Sequence, residues 1–397
     1  MMNTNSKDIE HVLTSGVFEV LPSREALAKV MASGKRLRLY VGVDPTSPHL
    51  HLGHALQFMK LREFQDLGHE VILLIGSFTA MIGDPTDKMA ARKQLTRKEV
   101  LANAKTYKKQ VGKILRFTGR NAVKLKFNDK WLAKLSFADV VDLASHFTVQ
   151  QMMERDMFER RINEGKPVHL HEFMYPLMQG YDSVAMDVDV ELGGSDQTFN
   201  MLAGRTLQKA INGKEKFVVS LKLLTNDEGK KMSKSEGGFI AMEDTPEDKY
   251  GKIMAMADSM IVSFAELVLR KSEAELAAVA KAKETDPRAT KAQVAREVVA
   301  FFDGEEAAQK AEAHFNKVFR AHEMPEEMPE HVLATTASIL DVLVETGLVS
   351  SKSEARRMVE QGAIKINSET VSSIETVIEP GADIILQRGK RQFVRIK

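Results

Sequence analysis

The chain of 397 residues contains no cysteine. That excludes disulfides, thiolate metal sites and cysteine nucleophiles, and it suits a reducing compartment. An excess of charge is missing too. Lysine and arginine number 56 against 55 aspartate and glutamate, a formal net charge of +1. Bulk charge therefore announces no nucleic-acid binder, and any RNA-facing surface must be a local patch. No apolar run approaches the length of a membrane span, and Met1 to Glu10 is polar, without the apolar stretch of a secretory leader. Internal repeats and low-complexity tracts are absent. These absences lead us to expect a cytoplasmic protein with no membrane partner. What is present is an ordinary composition, 43% hydrophobic and 28% charged, in a chain long enough for two or three domains.

The order of elements reads as α/β, then helical, then α+β. Residues 7–34 read as a leading helical segment that ends at Gly34. Leu37 to Val43 reads as a strand running into Asp44-Pro45-Thr46. A helix from about Gly53 to Gly68 and an apolar strand, Val71 to Ile75, follow. Strand, helix, strand in that order predicts a parallel sheet with a right-handed crossover, and ligands at the carboxyl ends of its strands. Asp44 and Asp84 both fall there. Arg97 to Thr118 reads as one long helix and Ala122 to Phe127 as a strand. Ser136 and Thr148 cap further helices, the second through a capping box with Gln151. Met152, Met153 and Phe158, set among arginines, suggest a partner surface, with core packing as the alternative. His171 to Ser183 is helical, Val188 to Leu192 a strand, and Gly193-Gly194-Ser195-Asp196-Gln197 opens a helix to about Ala210. Lys216 to Ser220 is a short strand. From Thr245 to Arg320 the periodicity is helical. Met324-Pro325-Glu326-Glu327-Met328-Pro329 marks a linker. The last stretch reads as helix 338–346, a helix from Ser351 to Gly362, and hairpins turning near Asn367 and Gly389.

Two short motifs carry the chemistry. Gly229 to Gly238 contains Lys231-Met232-Ser233-Lys234-Ser235, three lysines and two hydroxyls flanked by glycine when Lys230 is counted. That composition suits a mobile loop for a dense negative charge, where the plain alternative is a solvated basic loop. Far upstream, His51-Leu52-Gly53-His54 opens a helical pattern, and polar rings at a helix N-terminus are placed to meet phosphate. His49, His51 and His54 also have a metal-like spacing, as have His169 and His171. They lack the nearby carboxylate of a zinc helix motif, so no metal site is expected.

These two motifs, in this order and separation, are those of the class I aminoacyl-tRNA synthetases, which the chain resembles over nearly its whole length. The resemblance implies a Rossmann-like parallel-sheet catalytic domain over 1–240, with a dimer-interface insertion at about 130–165. It implies an α-helical anticodon-side domain over 241–320, a linker at 321–335 and a small α+β S4-type RNA-binding domain over 336–397. Within the class, Leu39 to Thr46 and Tyr175-Pro176-Leu177-Met178-Gln179-Gly180-Tyr181-Asp182 resemble the tyrosyl-tRNA synthetases. By that resemblance Tyr40 and Asp182 hold the phenol hydroxyl of L-tyrosine. Asp84, Tyr175 and Gln179 receive its ammonium group, and Gln197 approaches its carboxyl region. Phenylalanine would leave the acceptor unpaired, at a cost of a few kcal/mol. Thr46, His51, His54, Lys231 and Lys234 would stabilise the leaving pyrophosphate. Gly42, Asp44, Gly53, Gly193, Gly194 and Asp196 would complete the ATP site, with Asp196 at the ribose.

The reaction implied is tyrosine plus ATP giving tyrosyl-adenylate, then transfer to the 3′ end of tRNA. The substrate carboxylate is the nucleophile, so catalysis is positioning plus charge stabilisation. Mg2+ would enter with ATP, and no tightly bound cofactor is implied. The resemblance has departures. Thr198-Phe199-Asn200 replaces the Trp-Gly-Asn of many bacterial relatives, and the segment between Asp182 and Gly193 is short. Lys352, Arg356, Arg357 and Lys365 concentrate the charge of the S4-like stretch and would grip phosphates of the tyrosine tRNA. A homodimer is implied. Tryptophan–tRNA ligase and a synthetase-derived RNA-binding protein are the alternative functions.

Overall fold

The computed structural model describes residues 2–84, 95–225, 239–319, 328–389 and 392–397. They form two compact units, Met1–Glu305 and Glu306–Lys397. The first is built on a six-stranded sheet of β1 (Val17–Leu21), β2 (Arg38–Val43), β3 (Glu70–Ile75), β4 (Lys124–Phe127), β5 (Val190–Gly194) and β6 (Phe217–Leu221), in the order β1-β6-β5-β2-β3-β4. All pairings are parallel except that of β1 with β6. β3 is buried at every residue but its first, as a strand covered on both faces must be. The chain leaves β2 toward β3 and β5 toward β6, so the strand order reverses between β2 and β5, and a crevice opens at their carboxyl ends.

The leading segment differs from its sequence reading. It is α1 (Ser6–Thr14), strand β1 and α2 (Arg24–Ala32), not one helical stretch. Gly16, at φ 66°, ends the first helix, Pro22 follows the strand, and Val17 to Leu21 gains backbone partners on the open edge of β6. α3 (Leu52–Asp66) lies between β2 and β3, and α4 (Thr79–Ile82) follows β3. The expected long helix at 97–118 is also broken, into α5 (Arg97–Ala104) and α6 (Tyr107–Val111). The break turns polar side chains onto the loop after β2. Asn103 donates to the Pro45 carbonyl (2.9 Å), Thr106 to that of Pro48 (2.9 Å), and Tyr107 to that of Ser47 (2.6 Å).

α7 (Asp129–Leu132), α8 (Phe137–Ser145), α9 (Val149–Met153) and α10 (Asp156–Asn163) follow β4. Ser136 and Thr148 cap α8 and α9 as their spacing predicts. Met152 and Phe158, however, are buried, and Phe158 packs on Phe173 at 4.7 Å between centroids. The exposed large apolar groups of this region are instead Phe137, Val141, Val149, Ile162 and Leu170. α11 (Met174–Met186) and α12 (Thr198–Asn212) flank β5 in sequence. α13 (Pro246–Met254), α14 (Met260–Leu267), α15 (Glu273–Thr285) and α16 (Pro287–Asp303) complete the first unit, with buried Lys249 paired to Asp303 (2.5 Å).

The second unit holds α17 (Glu305–Phe319), β7 (Glu330–His331), β8 (Ala337–Ser338), α18 (Ile339–Glu345), α19 (Lys352–Glu360), β9 (Ile364–Ile366), β10 (Glu369–Thr370), β11 (Val377–Ile378), β12 (Ile384–Arg388) and β13 (Gln392–Ile396). One sheet runs β10-β9-β12-β13-β7, and β11 pairs with β8. Asn367 and Ser368, both at positive φ, turn β9 into β10, and Gly389 follows β12 before its antiparallel partner β13. Ile339, Val342, Leu343, Ala355, Val359 and Leu386 lie in the core between these helices and strands.

Leu39, on the central strand β2, has no exposed surface. Leu39→Ala is expected to cost about 2–5 kcal/mol in urea unfolding, the usual loss for a buried leucine. A cost below about 1 kcal/mol would contradict its place in the core.

Candidate active site

The crevice between β2 and β5 is ringed by the residues that follow the strand ends. Asp44 comes directly after β2. Its carboxyl accepts hydrogen bonds from Thr79 Oγ1 (2.7 Å) and Tyr175 Oη (3.0 Å). Gly76, just past β3, makes this possible, because a Cβ there would lie 1.8 Å from Asp44 Oδ1. The residue as a whole is partly exposed, while its carboxyl is enclosed by protein. Burial pushes that carboxyl up to about 7, helped by the charge of Asp84, against the two hydrogen bonds.

Asp84 faces three side chains. Arg155 forms an ion pair with it (2.9 Å), Gln197 donates to its other oxygen (3.0 Å), and Asn200 stands 3.5 Å away. Asn200 also donates to Gln197 Oε1 (2.9 Å). Tyr175 and Gln179, one turn apart on α11, turn inward from the same helix as Asp182. Tyr175 reaches Asp44, and Gln179 donates to Glu191 Oε1 (2.9 Å).

Tyr40 and Asp182 are both buried. The Tyr40 ring packs with Ile72, Leu74, Met186 and Val188, and its hydroxyl meets Ser183 Oγ at 3.1 Å. Asp182 accepts from Trp131 Nε1 (2.7 Å) and Asn128 Nδ2 (3.2 Å). Burial pushes the Asp182 carboxyl well above the usual range, and these two donors oppose the shift. Beneath them lies a charged pair with almost no exposure, Lys216 and Glu191.

The histidine motif forms the N-terminus of α3. His51 Nδ1 accepts from the Gly53 N–H (3.1 Å), and His54 Nδ1 accepts from the His51 N–H (3.2 Å), a reciprocal capping box made of two imidazoles 3.9 Å apart. A Cβ at Gly53 would stand 2.9 Å from the His51 ring. Thr46 is exposed, with its N–H on the Asp44 carbonyl (2.8 Å), and Gly42 is exposed, with side-chain atoms of Leu74 and Tyr40 the nearest to a would-be Cβ at 3.9 Å. At the end of β5 a Cβ on Gly194 would lie 2.5 Å from Asp196 Oδ1, and one on Gly193 would lie 2.9 Å from Met201 Sδ. Asp196 is exposed beside them.

Lys231 and Lys234 lie outside the described residues. The residues from Phe239 to Met242 do not. Leu52 N–H bonds the Ile240 carbonyl (3.1 Å), Met242 N–H bonds that of Leu50 (2.8 Å), and Phe239 meets the His51 ring edge-on at 5.5 Å. On the upstream side, Leu223 stands against Gly194. The described residues on the two sides of the lysine motif thus lie against the histidine motif and against the end of β5.

Comparison with known proteins agrees with this architecture. The family of class I tRNA synthetases for W and Y matches residues 32–320, and a tyrosine–tRNA ligase SYY-like C-terminal domain matches residues 321–396. A tyrosine–tRNA ligase of Thermotoga maritima is 46% identical, over 97% of this chain and 96% of its own. That of Colwellia psychrerythraea is 46% identical over 97% of each. The chain belongs to the tyrosine–tRNA ligase family. Among solved structures, a C-terminally truncated mitochondrial tyrosyl-tRNA synthetase of Coccidioides posadasii covers 78% of the chain at 27% identity, with a TM-score of 0.62.

Set beside the residues singled out in the sequence, the crevice of this tyrosine–tRNA ligase contains several that sequence reasoning missed. They are Thr79, Asn128, Trp131, Arg155, Ser183, Glu191, Asn200 and Lys216. Only Asn200 had a signal, since it sits in the Thr198-Phe199-Asn200 stretch already noted as a departure from the pattern of many relatives. The rest are scattered along the chain and meet through the fold. In the second unit, α19 exposes Arg356 and Arg357 on the side opposite buried Ala355 and Val359. Lys352 is exposed and ion-paired with Asp341, and Lys365 is partly buried on β9.

The raised Asp44 carboxyl makes stability depend on pH. Between about 4 and 7 the folded chain holds a proton that the unfolded chain has released, so stability falls as pH rises through that window. Asp44→Asn removes the ionised form. It is expected to stabilise the protein by about 1–2 kcal/mol at pH 8.5 and by progressively less toward pH 5, as thermal unfolding would show. A difference constant across pH would contradict an enclosed, titrating carboxyl.

Proposed function

We propose that this ligase joins L-tyrosine to ATP with release of pyrophosphate, then passes the tyrosyl group to the 3′ end of its tRNA, with the crevice between β2 and β5 as the site of both steps. The observation that carries the reading is the grouping of Tyr40, Asp84, Tyr175, Gln179 and Asp182 behind a histidine-capped helix N-terminus. In it Tyr40 and Asp182 recognise the phenol hydroxyl, Asp84, Tyr175 and Gln179 the ammonium group, and Gln197 the carboxyl region. Gly42, Gly193 and Gly194 admit the nucleotide to the backbone, with Asp44 and Asp196 on its polar groups.

Chemistry then needs little from the protein beyond geometry. The tyrosine carboxylate attacks the α-phosphate in line, and the charge growing on pyrophosphate meets Thr46, His51, His54, Lys231 and Lys234. Magnesium arrives as part of MgATP, without a cage of protein ligands. The two lysines belong to a glycine-flanked stretch of the sequence, so they can close over phosphates and withdraw. The S4-like surface of Lys352, Arg356, Arg357 and Lys365 holds tRNA phosphates, and the working form is a cytoplasmic homodimer. Support for the dimer is the exposure of Phe137 and Val141, one turn apart on α8, together with Val149. No helix among the described residues is long and apolar enough to cross a membrane.

The test is amino-acid-dependent ATP–pyrophosphate exchange without tRNA, run with tyrosine, tryptophan and phenylalanine in turn. Exchange with tyrosine alone is expected. Exchange with tryptophan alone would overturn the roles of Tyr40 and Asp182, and no exchange from folded protein would favour an RNA-binding role. In the same assay Lys234→Ala should lower kcat by at least about tenfold and leave the tyrosine KM nearly unchanged, as for an interaction made mainly in the transition state. A change confined to the tyrosine KM would assign that lysine elsewhere.

A further inference from the structure

Below the tyrosine pocket, four buried polar side chains from three elements and the segment before β6 meet. Tyr40 lies on β2, Glu191 is its register partner on β5, Ser183 is on α11, and Lys216 immediately precedes β6. None of Ser183, Glu191 and Lys216 has an assigned role in the reading above. We propose that Lys216 heads a directional hydrogen-bond chain, through the Ser183 hydroxyl to the Tyr40 hydroxyl, that presents the Tyr40 proton to the substrate phenol. Ser183 and Lys216 are then positioning residues for tyrosine selection.

The direction follows from counting protons. An ammonium group has three donors and no acceptor. Those of Lys216 go to Glu191 Oε2, to Ser183 Oγ (2.9 Å) and to the Met201 carbonyl (3.0 Å). Ser183 therefore accepts from Lys216 and has one proton of its own to give. Its two acceptors are Tyr40 Oη at 3.1 Å and Glu191 Oε2 at 3.3 Å. Glu191 is already served, by Lys216 on one oxygen and by Gln179 on the other (2.9 Å). The remaining step rests on the pocket assignment above. The phenol of tyrosine has one proton, and it goes to Asp182, whose oxygens otherwise receive Trp131 and Asn128. The phenol oxygen must then accept from Tyr40. Tyr40, with a single proton, cannot also donate to Ser183, so Ser183 donates to Tyr40.

Every hydroxyl in the series points the same way, from a cation at its head to a carboxylate at its tail. Such a chain polarises cooperatively in a dry interior. Phenylalanine interrupts it, leaving the Tyr40 proton and the Asp182 acceptor without each other. Glu191 neutralises the cation and also orients Gln179, so one buried pair supports both the phenol end and the ammonium end of the pocket. The arrangement depends on Gly204 in α12, where a Cβ would fall 2.3 Å from Lys216 Nζ and 2.8 Å from Ser183 Oγ.

The experiment is pyrophosphate exchange with the full chain, comparing kcat/KM for tyrosine and for phenylalanine in Tyr40→Phe, Ser183→Ala, Ser183→Thr and the Tyr40→Phe/Ser183→Ala double variant. Ser183→Ala is expected to raise the tyrosine KM and cut the tyrosine-to-phenylalanine ratio about three- to tenfold, the weight of one buried hydrogen bond. The ATP KM should not move. Ser183→Thr, which keeps the hydroxyl, should retain most of the ratio. In the Tyr40→Phe background Ser183→Ala should add less than a further twofold, because the two act as one unit. A ratio within twofold of the parent in Ser183→Ala, or a full additional loss in the double variant, would overturn the chain. Should Ser183→Ala fail to fold, Ser183→Cys serves in its place with the same expectations, since a thiol is a weak donor. If Tyr40→Phe itself leaves the ratio unchanged, the failure belongs to the pocket assignment, and the chain falls with it.

Discussion

Everything in the first unit depends on the side-by-side parallel pairing of β2 and β5. The chain departs from them in opposite directions, and this opens the one crevice that the sheet order allows. The register then decides which residues meet. Leu39 faces Val190 and Tyr40 faces Glu191, so an aromatic hydroxyl and a carboxylate share one side of adjacent strands. A slip of one residue would turn both to the opposite face and dismantle the pocket.

The crevice gathers negative charge that burial opposes. Asp44, Asp182 and Glu191 lie within it, and Asp84 stands at its edge. Each is met by a donor set matched to its setting. Hydroxyls of Thr79 and Tyr175 serve Asp44, N–H groups of Trp131 and Asn128 serve Asp182, and cations serve Asp84 and Glu191. At Asp44 the two hydroxyl donors do not offset burial, and the carboxyl keeps a raised affinity for protons. The crevice is thus a set of acceptors held in fixed directions, which suits a substrate that brings an ammonium group and a phenol.

Several parts of this were legible in the chain. The apolar run of β3, the strand leading into Asp44, the caps at Ser136, Thr148 and Ser351, and the turns at Asn367 and Gly389 follow from local spacing and backbone preference. The family, too, could be read from two motifs and the stretches around Tyr40 and Asp182. The errors have a common cause. Residues 7–34 hide a strand because the partner that stabilises it, β6, lies about two hundred residues away. The stretch 97–118 breaks because its side chains gain more from the carbonyls of Pro45, Ser47 and Pro48 than from continuing a helix. Met152 and Phe158 looked exposed because burial is set by neighbours such as Phe173, which periodicity does not name.

The sequence by itself determined the local signals: helix starts and stops, the apolar strands, the absence of thiol chemistry and the motif residues that mark a tyrosine–tRNA ligase. Only the tertiary structure decided which polar groups share a buried space. Lys216, Glu191, Ser183 and Gly204 carry no pattern along the chain, yet they meet within hydrogen-bonding or contact distance. The physical reason is that a buried charge is tolerable only beside its partner, and partners from different strands and helices become neighbours only when the sheet register and the packing of α11 on α12 have been set.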